Sequence, residues 1–165
     1  MIRRYGEPVK AGQTYRRRPG VYAILLRDGE ILTTFQAAPV PEFQLPGGGI
    51  DPGEHPIAAL HREVIEETGW RISLQRRLGA FRRFTYMPDY GFWAEKLCTV
   101  YLARPVLRLG DPTEPGHQAV WLKPWGWTSC LYAAPTTATP LAPPSPWASA
   151  CRATFMWRMS AAWRV

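Results

Sequence analysis

Residues 48 to 70, GGIDPGEHPIAALHREVIEETGW, constrain this chain more than any other stretch. Asp51-Pro52-Gly53 is a turn, and Pro56 suits the first position of a helix. Ile57, Leu60, Val64 and Thr68 recur three or four residues apart, which gives that helix one core-facing side. Gly69 stands where a left-handed C-terminal cap is expected. Glu63, Glu66 and Glu67 fall at i, i+3 and i+4, so three carboxylates share one patch. Solvated, such like charges repel by a few tenths of a kcal/mol per pair. A hard divalent cation reverses the sign, and Mg²⁺ takes one or two carboxylates together with substrate phosphate oxygens. Gly47 to Gly49 bring backbone close with no side chain between, so a carbonyl such as that of Gly48 can complete the shell. An acidic patch alone is more often a solvated helix face; the weight here comes from the spacing of the whole stretch.

Gly48, five residues, Glu54, seven residues, then Arg62-Glu63-Val64-Ile65-Glu66-Glu67-Thr68-Gly69-Trp70 resembles the Nudix box at every defined position. Trp70 is bulkier than the aliphatic residue usual at the end. With the strand order around it, the resemblance extends from about Tyr15 to Leu122. It implies an α/β (α+β) fold: an α/β/α sandwich with a mixed sheet, the box forming a loop–helix–loop. It implies hydrolysis, dependent on Mg²⁺ or Mn²⁺, of a pyrophosphate bond in a nucleoside diphosphate linked to another moiety, with water attacking phosphorus. Carried over position by position, Glu63, Glu66, Glu67 and the Gly48 carbonyl would ligate metal. Glu54 would support the site through water or a second metal, and Arg62 would orient the glutamates by ion pairing. For the general base Glu63 is the first choice, with Glu95 and Glu114 as candidates outside the box. The implied partner is a nucleotide-type small molecule, and a homodimer is an allowed assembly. One alternative substrate is RNA with a 5′ triphosphate. Another reading is a Nudix-fold sensor that binds without cleaving, against which all three glutamates stand.

Around the box the chain alternates strand-length runs with turns. Gly20 to Leu26 and Glu30 to Phe35 flank Asp28-Gly29, a hairpin signal. Phe43 to Leu45, Leu74 to Tyr86, Phe92 to Leu102 and Ala119 to Leu122 are further strand candidates. Substrate recognition would come from outside the box. Arg16, Arg18 and Arg83 are the phosphate-clamping candidates and Tyr86 a stacking one, against the alternative that paired arginines split between strand faces. His55, His61 and His117 show no metal-ligand spacing, and Cys98 fits an inert buried thiol.

The net charge of +7 favours anionic partners without choosing among them. A basic nucleic-acid-binding module is weaker, since no recognition helix or RNA-binding motif is present. The longest apolar run, Val21 to Leu26, is far short of the roughly 20 residues of a membrane helix. No secretory signal is visible, and three cysteines without a close pair fit reduced thiols, so the expected location is the cytoplasm. The composition divides the chain into a hydrolase domain at 1–125 and an atypical segment at 126–165. All 13 acids lie at or before Glu114, and six of the eight tryptophans follow it. That break favours a change of coding frame near residue 126 over a natural Pro-rich tail. A helix is expected at 147–163, where Ala148, Cys151, Phe155, Met159 and Ala162 keep helical spacing.

Overall fold

A computed structural model describes residues 2–37 and 41–123. Strands β1 (Arg3–Gly6), β2 (Arg16–Arg27), β3 (Glu30–Gln36) and β4 (Glu42–Gln44) precede helix α1 (Pro56–Thr68). Strands β5 (Trp70–Met87), β6 (Phe92–Arg108) and β7 (His117–Leu122) follow, with a 3-10 turn at Pro88–Tyr90. All seven strands form one sheet in the order β1-β5-β6-β2-β3-β4, and β7 also pairs with β3. The sheet is mixed: β1 with β5 and β2 with β6 are parallel, the rest antiparallel.

One irregularity of this sheet creates the site. β3 pairs with β2 only through Glu30–Leu32 and then with β4 through Thr34–Gln36. The middle of β2 is thereby left with an open edge, and the glycine loop fills it. The Ala23 and Val21 amides donate to the carbonyls of Pro46 and Gly48 at 2.9 and 3.0 Å, and the Ile50 amide donates to Pro19 O at 3.1 Å. The obligatory hydrogen bonds of β2 thus hold the loop in place.

The β2–β3 hairpin turns at Asp28 and Gly29, both at positive φ (53° and 78°), as its Asp-Gly pair leads one to expect. Other boundaries differ from the sequence reading. β2 begins at Arg16, β5 at Trp70 and β7 at His117, each earlier than hydropathy suggests. β1 was not foreseen, because four residues (RRYG) on a sheet edge carry no apolar period. The β5–β6 ladder shifts register between Arg71 and Ile72, Leu74 and Arg76, and Arg77 and Gly79. Pro105, which has no N–H to give, lies opposite Ile72 at the first shift.

α1 lies on one face of the sheet. Val21, Ala23 and Leu25 alternate inward from β2 and, with Leu32, Ile72 and Ala103, pack against Ala59, Leu60 and Val64. Ile57, expected in that face, is only half-buried, and Ala59 takes its place. His55 caps the helix start, its Nδ1 accepting from the Ile57 amide, and Gly69 closes it at φ 73°. The Gly69 position is doubly constrained, since a Cβ there would stand 2.1 Å from Gly110 O. Trp70 meets the Trp121 ring edge-on at 5.8 Å, and the Arg27 guanidinium lies 4.5 and 4.6 Å from the two ring centres. The bulky last residue of the box therefore ties the helix end to β2 and β7. Cys98 is buried, as expected. The expected second helical layer, the 147–163 helix and the 126–165 segment fall outside the described residues. No helix among the described residues is long and apolar enough to cross a membrane.

Candidate active site

Glu63 and Glu67 are buried on the loop-facing side of α1. The Gly47 amide donates to Glu67 Oε2 at 2.8 Å, with Gly47 at φ 137°. A Cβ on Gly48 would lie 2.3 Å from Glu63 Oε2. Loop and carboxylates touch directly, which is why glycine is required there. Gly48→Ala is expected to push Glu63 out of place and lower turnover about 100-fold, the usual effect of a displacement near 1 Å at a reacting centre. Steady-state kinetics beside circular dichroism check this: full turnover in a folded variant would show that Glu63 tolerates the move.

Arg62 organises the remaining acids. Its Nε and Nη2 donate to the two oxygens of Glu54, each at 2.9 Å. Its Nη1 donates to Glu63 Oε1 at 2.9 Å and Glu66 Oε2 at 3.1 Å, and Nη2 also reaches Gly49 O at 3.1 Å. The hydrogen bonds from Arg62, then the Asp51 amide, hold the Glu54 carboxyl down at about 2. The Glu54 bonds in turn push the guanidinium further up. Burial raises Glu63 despite Arg62 beside it. Burial raises Glu67 much more, to about 9, against the Gly47 amide and with Glu114 and the other glutamates adding to the rise.

The loop after β6 docks on the end of the helix. The Leu109 amide donates to Gly69 O, and the amides of Thr113 and Glu114 both donate to Glu66 O, at 2.8 and 3.0 Å. That docking brings two further groups to Glu67. His117 Nδ1 lies 3.4 Å from Glu67 Oε1, and one ligand atom each from Glu67, Glu114 and His117 lie within 4.8 Å of one another. The sequence reading named Glu114 as a base candidate but gave His117 no role. Only the fold joins residues so far apart, and the sole local cue was a short Glu-Pro-Gly-His turn at the start of a strand.

Glu95 is elsewhere, in ion pairs with Arg17 at 3.6 Å and Arg82 at 3.3 Å. Arg18 stacks on Tyr90 with its guanidinium 4.2 Å from the ring centre, and its Nη2 donates to the Tyr90 hydroxyl at 3.0 Å. The same guanidinium passes 3.5 Å from where a Cβ on Gly49 would stand, so it borders the glycine loop. Arg16 lies over Phe92 at 5.0 Å. Arg83, paired with Lys96, alternates onto the same sheet face. Tyr86 alternates onto the opposite face and packs on Trp93 at 5.5 Å. The fold thus gathers Arg16, Arg18 and Arg83 and separates Tyr86 from them.

The donor set suits a hard divalent cation. Oxygens of Glu63 and Glu66 converge within about hydrogen-bond distance of a single Arg62 nitrogen, and the Glu67 carboxyl is buried with one amide donor. Those residues are the ones that would hold it, with the Gly48 carbonyl, which already accepts from the Val21 amide, as the backbone ligand the resemblance implies. When bound, such an ion polarises phosphorus and lowers the pKa of water.

Comparison with known proteins agrees with this geometry. Residues 16–141 match the NUDIX domain family. A Bacillus subtilis (strain 168) protein described as a candidate 8-oxo-dGTP diphosphatase is 36% identical over 64 residues, 39% of this chain and 43% of that protein. An RNA pyrophosphohydrolase of Cereibacter sphaeroides (strain ATCC 17029 / ATH 2.4.9) is 48% identical over 54 residues, 32% of this chain and 33% of that protein. The chain spans less than half the length of these curated relatives. Among solved structures, a NUDIX hydrolase from Nitrosomonas europaea shares the fold at a TM-score of 0.59 and 21% identity, covering 82% of this chain and 86% of that one. A MutT NUDIX hydrolase from Burkholderia pseudomallei aligns at a TM-score of 0.51 and 28% identity, covering 75% and 91%. A glycine loop on the open edge of β2, a glutamate-bearing helix beneath it and a match across well over half of the chain lead to one conclusion: the protein belongs to the NUDIX domain family.

Proposed function

We propose that the protein hydrolyses a pyrophosphate bond in a nucleoside diphosphate derivative, with Mg²⁺ or Mn²⁺ held by Glu63, Glu66, Glu67 and the Gly48 carbonyl. The observation that carries this reading is a glycine loop laid directly against two box carboxylates, Gly48 on Glu63 and the Gly47 amide on Glu67, with Glu66 drawn to Glu63 through a single Arg62 nitrogen. Arg62 keeps Glu54, Glu63 and Glu66 in register. Glu63 is the first choice for the base, and Glu114, now placed at Glu67, outranks Glu95, whose charge two arginines already balance. Arg18, whose guanidinium borders the glycine loop, and Arg16 on the same strand face are the residues assigned to the substrate phosphates.

The test is phosphate or pyrophosphate release from a panel of nucleoside triphosphates (oxidised forms included), ADP-ribose, dinucleoside polyphosphates and 5′-triphosphorylated RNA, with metal and with chelator. Cleavage of one class only in metal is the expected result; binding without cleavage of any would refute the reading in favour of a sensor. Arg18→Ala is expected to raise KM about tenfold or more with little change in kcat, the loss of one charge-assisted contact. An unchanged KM would remove Arg18 from the substrate site.

A second reading, RNA with a 5′ triphosphate, is supported by the +7 charge and by the likeness to an RNA pyrophosphohydrolase. It predicts a steep fall of RNA affinity with salt, as counterions released from several phosphates require.

A further inference from the structure

We propose that His117 is itself a ligand of the divalent cation, its Nδ1 forming with Glu67 and Glu114 a mixed nitrogen–oxygen position that favours Mn²⁺ or Co²⁺ over Mg²⁺. This rests on the metal-dependent reading above and adds to the box a residue from outside it. The His117 side chain is only 6% exposed, as is that of Glu67. Its backbone amide donates to Glu114 O, so the two residues sit on one tight turn. That turn is pinned to α1 through Glu66 O. The two oxygens of Glu67 are differently committed: Oε2 accepts from the Gly47 amide, while Oε1 faces Nδ1 at 3.4 Å. That separation is long for a hydrogen bond. It matches neighbouring ligands around an ion with bonds of about 2.1 Å, which stand roughly 3.0–3.4 Å apart. The Thr34 hydroxyl is hydrogen-bonded to the same nitrogen at 3.2 Å, and since Nδ1 has one in-plane lone pair that bond gives way when the ion takes it. An imidazole nitrogen is a poor ligand for Mg²⁺, which keeps to oxygen, and a good one for the later divalent ions.

The experiment uses the Mn²⁺-loaded, nucleotide-free protein and pulsed electron paramagnetic resonance. The chain has three histidines, so His55→Asn with His61→Gln leaves His117 as the only one, and asparagine keeps the helix cap. Imidazole ¹⁴N modulation is expected in that variant, converting to the ¹⁵N pattern on labelling of histidine, with residue 117 unaltered. His117→Gln is expected to lose the modulation and to weaken Mn²⁺ about tenfold by equilibrium titration, with Mg²⁺ weakened less than twofold. Bound Mn²⁺ without nitrogen modulation, in a protein that still hydrolyses substrate with metal, would overturn the His117 assignment alone. Failure of the wild-type protein to bind Mn²⁺ at all would overturn it together with the functional reading.

Discussion

Glu67→Gln is expected to abolish most turnover while stabilising the metal-free protein at pH 8. Burial holds the Glu67 carboxyl at about 9, well above its ordinary value of 4.5. A raised carboxyl means that the folded chain binds the proton more tightly than the unfolded one. Its contribution is therefore fully present below about 4.5 and is lost as pH rises through 9. Glutamine keeps the acceptor for the Gly47 amide and the side-chain volume, and it has no proton to lose. In chelator, the wild-type Tm should fall between pH 5 and 9 more steeply than that of the variant, each 1 kcal/mol being worth about 2–4 °C at this chain length. Turnover should drop about 100- to 1000-fold, since a metal ligand contributes several kcal/mol to the transition state. Parallel melting curves, or full turnover at saturating Mg²⁺, would show that Glu67 is an ordinary buried carboxyl.

Arg62→Ala should damage stability and rate together. It removes five hydrogen bonds and leaves Glu54, Glu63 and Glu66 without the cation that holds them, a loss of about 2–3 kcal/mol after allowing for the partial exposure of the group. Arg62→Lys should recover little, because an ammonium cannot reproduce the two-pronged bond to Glu54 while reaching Glu63 and Gly49. Divalent ions should restore part of the lost Tm by taking over the charge. Thermal melts of both variants with and without Mn²⁺ decide the matter. A lysine variant indistinguishable from wild type would reduce Arg62 to a nonspecific positive charge.

The parts legible in the sequence are those written contiguously. The helix, its C-terminal cap and the face carrying Glu63, Glu66 and Glu67 follow from spacing within 23 residues, as does the need for glycine beside them. What the sequence does not display is set by pairing across the sheet. Neither the open edge of β2 that receives the loop nor the docking of residues 109–114 on Gly69 and Glu66 has a local signal. His117 looks like a polar residue at a strand start until the loop brings it beside Glu67, fifty positions earlier. Tyr86 and Arg83 looked alike as recognition residues, and strand alternation alone puts them on opposite faces. Trp70 stands out in the sequence only as a bulkier last residue; the fold shows its ring closing a contact with Trp121 and Arg27.

Water attacking phosphorus at the carboxylate site on α1 leaves an isotopic mark, which hydrolysis in H₂¹⁸O followed by mass spectrometry of both products reads out. One ¹⁸O in one of the two phosphate products, only with Mg²⁺ or Mn²⁺ present and lost in Glu63→Gln and Glu67→Gln, is the result predicted. Cleavage that persists in chelator or in both variants, or products free of ¹⁸O, would contradict it.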